Sequence, residues 1–183
     1  MESGFFLTTC AILVPGILWA AWIDFRQRRV PNWLNAALAA MGIMAQIQFN
    51  GWQGLTTGMM GLAVGFGLLF VPWLMHGMGA GDVKLMMAIG IWIGPWMTFY
   101  AFCVGVLIGG VIAMVMILYT GRLWNAYCNL CTIANKVTNR SMIFTEFGSS
   151  KSFGTTSQLL PYGVPLTFGT LMVLLGQSWL PSY

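Results

Sequence analysis

The chain has 183 residues, 58% of them hydrophobic and 14% aromatic, with a mean hydropathy of +0.78. Its eight Lys/Arg and four Asp/Glu make only 7% charged residues, where a soluble domain carries roughly a quarter. That shortage excludes a water-clothed globule, while the abundant Trp, Phe and Met, the four cysteines and the lack of a Gly-X-Y period exclude disordered, disulfide-scaffold and collagen-like chains.

What remains is an all-α polytopic membrane protein, and the length suits a single domain over residues 1–183. The charge-free windows locate its helices, since a span needs about 20 apolar residues. Between Ser3 and Ile23 the first helix is expected at about 5–23. It has no basic leading segment and ends in Asp24 and a basic cluster, so it reads as a membrane helix rather than a cleaved signal. From Val30 to Gly81 there is room for two helices, about 33–49 and 55–76, with Asn50-Gly51-Trp52-Gln53-Gly54 as the turn. From Leu85 to Gly121 the pattern breaks at Gly94-Pro95, giving a short helix at about 82–94 and a full one at about 97–120. Thirteen residues reach only about 20 Å. The fourth helix must therefore start below the surface, thin the bilayer or take in part of the preceding Gly-rich turn. Residues 121–160 read as a polar cytoplasmic loop, and about 161–180 as a sixth helix.

Six spans put all eight basic residues on one side. Arg26, Arg28 and Arg29 fall in the first loop, Lys84 beside the third, and Arg122, Lys136, Arg140 and Lys151 in the fifth. By the positive-inside rule that side is cytoplasmic and both termini face outward. The net charge of +4 then reflects topology and anionic lipid contact, not nucleic-acid binding. Cys10 and Cys103 lie in apolar spans and act as small hydrophobes. Cys128-x-x-Cys131 lacks the further ligands a zinc site requires, and the single histidine, His76, reads as an interfacial residue closing the third helix. Gly58, Gly61, Gly65, Gly105 and Gly109 suit close helix packing, and Trp33, Trp52, Trp73, Trp96 and Trp179 suit interfacial anchors.

Of the four acids, the only two aspartates, Asp24 and Asp82, both fall at helix–cytosol junctions on the same face. Acids near hydrocarbon are costly and point to function. Two carboxylates sharing one low-dielectric site do not both ionise easily. Such a pair supplies one acid and one base, able to activate water and protonate a leaving group. A plainer reading stands beside this one: Asp24 closes helix 1 and pairs with Arg28, and Asp82 caps helix 4 with Lys84 as its partner.

Gly79-Ala80-Gly81-Asp82-Val83-Lys84 resembles the signature of the G-x-G-D intramembrane aspartic proteases. Asp24 through Val30-Pro31-Asn32 resembles the D-x-x-x-x-x-[IV]-P-N segment of the type IV prepilin peptidases, and the run on to Gly90 and Leu160-Pro161-Tyr162-Gly163 fits the same family. The resemblance implies an aspartic endopeptidase of the bacterial inner membrane, cutting prepilins and pseudopilins just after Gly at the cytoplasmic face. Asp24 and Asp82 would be catalytic, and no metal or organic cofactor is implied. Around them, Gly79 and Gly81 are expected to give backbone freedom and close substrate approach, and Pro31 to sit in the first turn of helix 2. Asn32 is expected to hydrogen-bond beside Asp24, Lys84 to tune the acids or meet lipid phosphate, and Pro161 to open helix 6. A substrate helix is expected to pack on the Gly-rich helices.

Long relatives insert a four-cysteine cytoplasmic region after helix 1 and also N-methylate the product. The first loop here is about nine residues without cysteine. The chain thus resembles the short, peptidase-only form of Flp or tight-adherence pilus systems, with the pilus or secretion machinery as a possible partner. The rival from another class is a non-catalytic membrane subunit or small transporter, with the two acids as a relay.

Overall fold

The computed structural model describes residues 3–27, 29–74, 78–120 and 162–179. Among these, all regular structure is helical: α1 (Ser3–Gln27), α2 (Asn32–Leu74), α3 (Ala80–Thr120) and α4 (Gly163–Trp179). Stretches Gly4–Gln27, Asn32–Leu74 and Ala80–Val115 are long and apolar enough to cross a membrane, and Gly163–Gln177 is a shorter apolar helix. His76, Cys128, Cys131, Pro161 and the loop at 121–160 lie outside the described residues.

Two of these helices are each interrupted by one glycine. Gly51 (φ 58°, ψ −140°) splits α2 into 32–50 and 52–74, and Gly94 (φ 76°, ψ 176°) splits α3 into 80–93 and 95–120. Both conformations are closed to side chains larger than hydrogen without strain. The expected turn at 50–54 is therefore narrower than its sequence implied, because one glycine makes it and helix resumes at Trp52. The short helix 80–93 begins two residues earlier than expected and takes in Ala80-Gly81 of the Gly-rich turn.

The chain divides into two compact units, residues 1–109 with 161–183, and residues 110–160. In the first unit, three cross-helix hydrogen bonds fix 32–50 against 80–93. Asn35 Nδ2 donates to the Gly81 carbonyl at 3.0 Å, the buried Trp92 indole to Leu38 O at 2.8 Å, and Gln46 Nε2 to Ile91 O at 2.9 Å. Asn35 meets the start of 80–93 and Gln46 its end, so the two helices run parallel. Gln46 serves a helix end that the Gly94-Pro95 break leaves short of N–H donors, because Pro95 has none.

Helix 52–74 runs the other way across 80–93 with backbone nearly touching backbone. A Cβ on Gly58 would lie 3.1 Å from Ile91 O, one on Gly65 2.6 Å from Met86 O, and one on Gly61 would collide with Gly90 O. Likewise Gly105 admits Pro165 and Leu166 of α4, with Pro165 O 3.2 Å from a notional Cβ. The glycines expected at helix contacts are thus found there. Gly58, Gly61, Gly65 and Gly105 are themselves covered by this chain's own helices. α1 lies antiparallel to 32–50, with Phe5 against Phe49 at a ring separation of 6.0 Å and Gly16 against Leu38.

Candidate active site

The end of α1 and the starts of 32–50, 80–93 and α4 come together at one end of this packing, and both aspartates lie there. Asp24 is in the last turn of α1 and only 3% exposed; Asp82 is in the first turn of 80–93 and 7% exposed. The two carboxyls are within electrostatic reach of each other. The sequence placed these two acids on one face, and the structure buries them together.

Each carboxyl is held by a backbone N–H. At Asp82 the turn is local: its own N–H bonds to Gly79 O at 3.2 Å, and the Gly79 N–H faces its carboxyl. Among the described residues positive φ occurs only at Gly51 and Gly94, so Gly79 and Gly81 are not there for left-handed backbone. Gly81 is small because the chain between α1 and α2 crosses it, and a Cβ would sit 3.0 Å from Val30 O. That contact ties the two aspartate motifs together.

The supporting residues fall differently from expectation. Pro31 lies just before α2, and its carbonyl accepts the first helical bond from Asn35 N at 3.4 Å, so it caps the helix rather than opening its first turn. Asn32 turns away from Asp24 and accepts from Lys84 Nζ at 2.9 Å on the exposed surface. Lys84 is thereby neither an ion-pair partner of Asp82 nor a member of the buried site.

Two further residues reach the site: Asn35, which sequence reasoning did not select, and Gly163, which ends the Leu160-Pro161-Tyr162-Gly163 segment that fits the family. Gly163, first residue of α4, donates its N–H to Asp24 Oδ2 at 2.9 Å. Asn35, 3% exposed, donates to Gly81 O, while its Oδ1 has no partner among the described residues. The available signal for Asn35 was a carboxamide one turn into the helix, directly before the apolar run from Ala36 to Ala45. For Gly163 it was the Leu160-Pro161-Tyr162-Gly163 segment, which does not itself name a partner 139 residues away.

Fold and site together define a multi-pass helical membrane protein with a buried pair of carboxylates. The profile of the type IV leader peptidase family matches residues 11–114, more than half of the chain and inclusive of both aspartates, and the chain belongs to that family. It is 28% identical over 107 residues to a prepilin leader peptidase/N-methyltransferase of Xanthomonas campestris pv. campestris, covering 55% of this chain and 37% of that protein. To a protein of the same description from Escherichia coli (strain K12) it is 31% identical over 105 residues, covering 54% of this chain and 44% of that one. The chain thus spans less than half the length of either relative. No solved structure matches it.

Proposed function

We propose that this protein is an aspartic endopeptidase of the inner membrane that removes the leader of type IV prepilins and pseudopilins, cutting after Gly at the cytoplasmic face. The observation that carries the reading is the joint burial of Asp24 and Asp82, each on a backbone N–H, at the end where α1 finishes and 80–93 begins. In hydrolysis the ionised carboxylate takes a proton from water as the water oxygen bonds to the peptide carbonyl carbon. The protonated partner gives its proton to the departing nitrogen as the C–N bond breaks. A coupled pair of this kind titrates as a unit.

Six spans with both termini outside follow from treating the helices on either side of Gly51 and Gly94 as separate crossings. The peptidase-only, Flp-type form is favoured by the connection between α1 and α2, which is just residues 28–31. The relay alternative is weaker, because the buried Thr9, Thr98 and Thr170 spend their hydroxyls on carbonyls of their own helices.

Gel-shift cleavage of a co-expressed Flp-type prepilin by the wild type, Asp24→Ala and Asp82→Ala, with expression checked by blot, tests the proposal. Cleavage by the wild type alone is expected. Undiminished cleavage in either well-expressed variant sinks the paired-acid mechanism.

A further inference from the structure

α4 lies outside the 11–114 stretch shared with the family profile, yet among the described residues it supplies the one long-range backbone hydrogen bond to a site carboxylate. The Leu166 N–H bonds to Tyr162 O at 3.2 Å, which makes Tyr162 the N-cap and Gly163 the first helical residue. N–H groups in a first turn have no acceptor within their own helix, so Gly163 N is free to bond Asp24 Oδ2 at 2.9 Å. The space around Gly163 is filled by the same side chain. A Cβ there would lie 2.7 Å from Asp24 Oδ2, 3.1 Å from Cγ and 3.2 Å from Asp24 Cβ. The nearest of these is the end of the carboxyl, so a methyl at 163 displaces the carboxylate before it displaces a helix.

Resting on the peptidase reading, we infer that Gly163 is a positioning residue of the site: its N–H aims the Asp24 carboxylate, and its missing side chain leaves the room in which that carboxylate sits. Glycine is required here for space, not for backbone freedom, since its φ is not positive. The competing role is simple helix capping, with Asp24 doing no more than close α4. Capping affects stability, whereas positioning affects kcat.

The test uses the full chain in detergent or nanodiscs with a purified prepilin. Gly163→Ala is expected to lower kcat about 100-fold, the scale of a misplacement of about 1 Å, with KM and Tm held. Gly176→Ala on the same helix, where a Cβ meets nothing within 4 Å, is expected to match the wild type. A second measurement needs no substrate. In a background with all four native cysteines changed to Ser, Asp24→Cys/Gly163→Cys is expected to crosslink under mild oxidation. The 3.2 Å from the notional Cβ to Asp24 Cβ is within a few tenths of an ångström of disulfide spacing, and the Asp24→Cys/Gly176→Cys pair should not crosslink. Wild-type kcat in Gly163→Ala, a loss of Tm with kcat per folded enzyme unchanged, or two alkylatable cysteines that never crosslink each overturn the inference and leave the peptidase reading standing. A wild type that cleaves no prepilin overturns that reading and this inference with it.

Discussion

Gly61→Ala probes how the helix crossing sets the position of Asp82. A Cβ at Gly61 would collide with the carbonyl oxygen of Gly90, and would lie 2.7 Å from its carbonyl carbon and 3.0 Å from Gly94 Cα. All three are backbone atoms, so no side chain can rotate away and the helices must part. Restoring ordinary contact at 3.4 Å from the carbon alone requires at least about 0.7 Å of separation, and clearing the nearer oxygen requires more; a gap of that size forfeits between a quarter and a half of the dispersion attraction of neighbouring atoms. Overpacking of this kind costs about 1–3 kcal/mol. At about 2–4 °C per kcal/mol for a chain of this length, Tm falls by on the order of 5 °C. Gly90 lies eight residues beyond Asp82 on the same helix, about 12 Å along its axis, so part of the displacement reaches the carboxyl. Losses of kcat between about tenfold and 100-fold follow if Asp82 shifts by a good fraction of an ångström. Tryptophan-fluorescence melting of the purified enzyme and a prepilin cleavage time course read the two effects. Gly67→Ala on the same helix, with open space around it, is the control and should leave both unchanged. If Gly61→Ala melts and cleaves like the wild type, the close crossing of 52–74 and 80–93 is refuted.

Gln46→Leu removes the donor to Ile91 O and leaves a buried helix-end carbonyl short of a partner, so Tm should fall by an amount equivalent to about 1–3 kcal/mol, read in the same melting assay with kcat per folded enzyme largely retained. Lys84→Met breaks only the exposed bond to Asn32 and should change stability by no more than about 0.5 kcal/mol with cleavage intact; loss of cleavage would return Lys84 to the acid pair. The pH profile of kcat/KM should be bell-shaped, rising as the pair loses its first proton and falling as it loses the second, and a flat profile across the acidic and neutral range would count against paired-acid chemistry.

Much of this fold is written in short-range terms that a sequence displays openly. Charge-free windows mark the helices, and the two breaks announce themselves as Asn50-Gly51 and Gly94-Pro95 because few other residues can leave the helical region there. Of the Trp residues expected at interfaces, Trp33, Trp52, Trp73 and Trp96 are exposed on the protein surface, and the side chain of Trp179 lies outside the described residues. Trp92 carries the same side chain and is fully buried, with its N–H on Leu38 O. Nothing in its neighbourhood distinguishes it, because what decides is the partner helix. The glycines show the same limit: their number pointed to close packing, but only the assembled helices reveal that Gly61 faces Gly90, and that Gly81 makes room for Val30. Asn32 and Asn35 are three residues apart with the same side chain, and the inward one was overlooked because the family motif names the other.

The two carboxylates depend on the rest of the chain in different ways. Asp82 is built from its own surroundings: the turn at Gly79 closes on it, and Asn35, Trp92 and Gln46 lock its helix to 32–50 along its whole length. Asp24 has no comparable local support. It ends a helix, and the hydrogen bond that orients its carboxyl comes from 139 residues later. Loop closure over such a distance is costly in entropy, so that bond forms only when α4 packs through Gly105 and Gly169 onto the helix at 95–109. The contacts that place Asp82 thus all lie within residues 1–109, whereas fixing the pair of carboxylates takes the last helix as well.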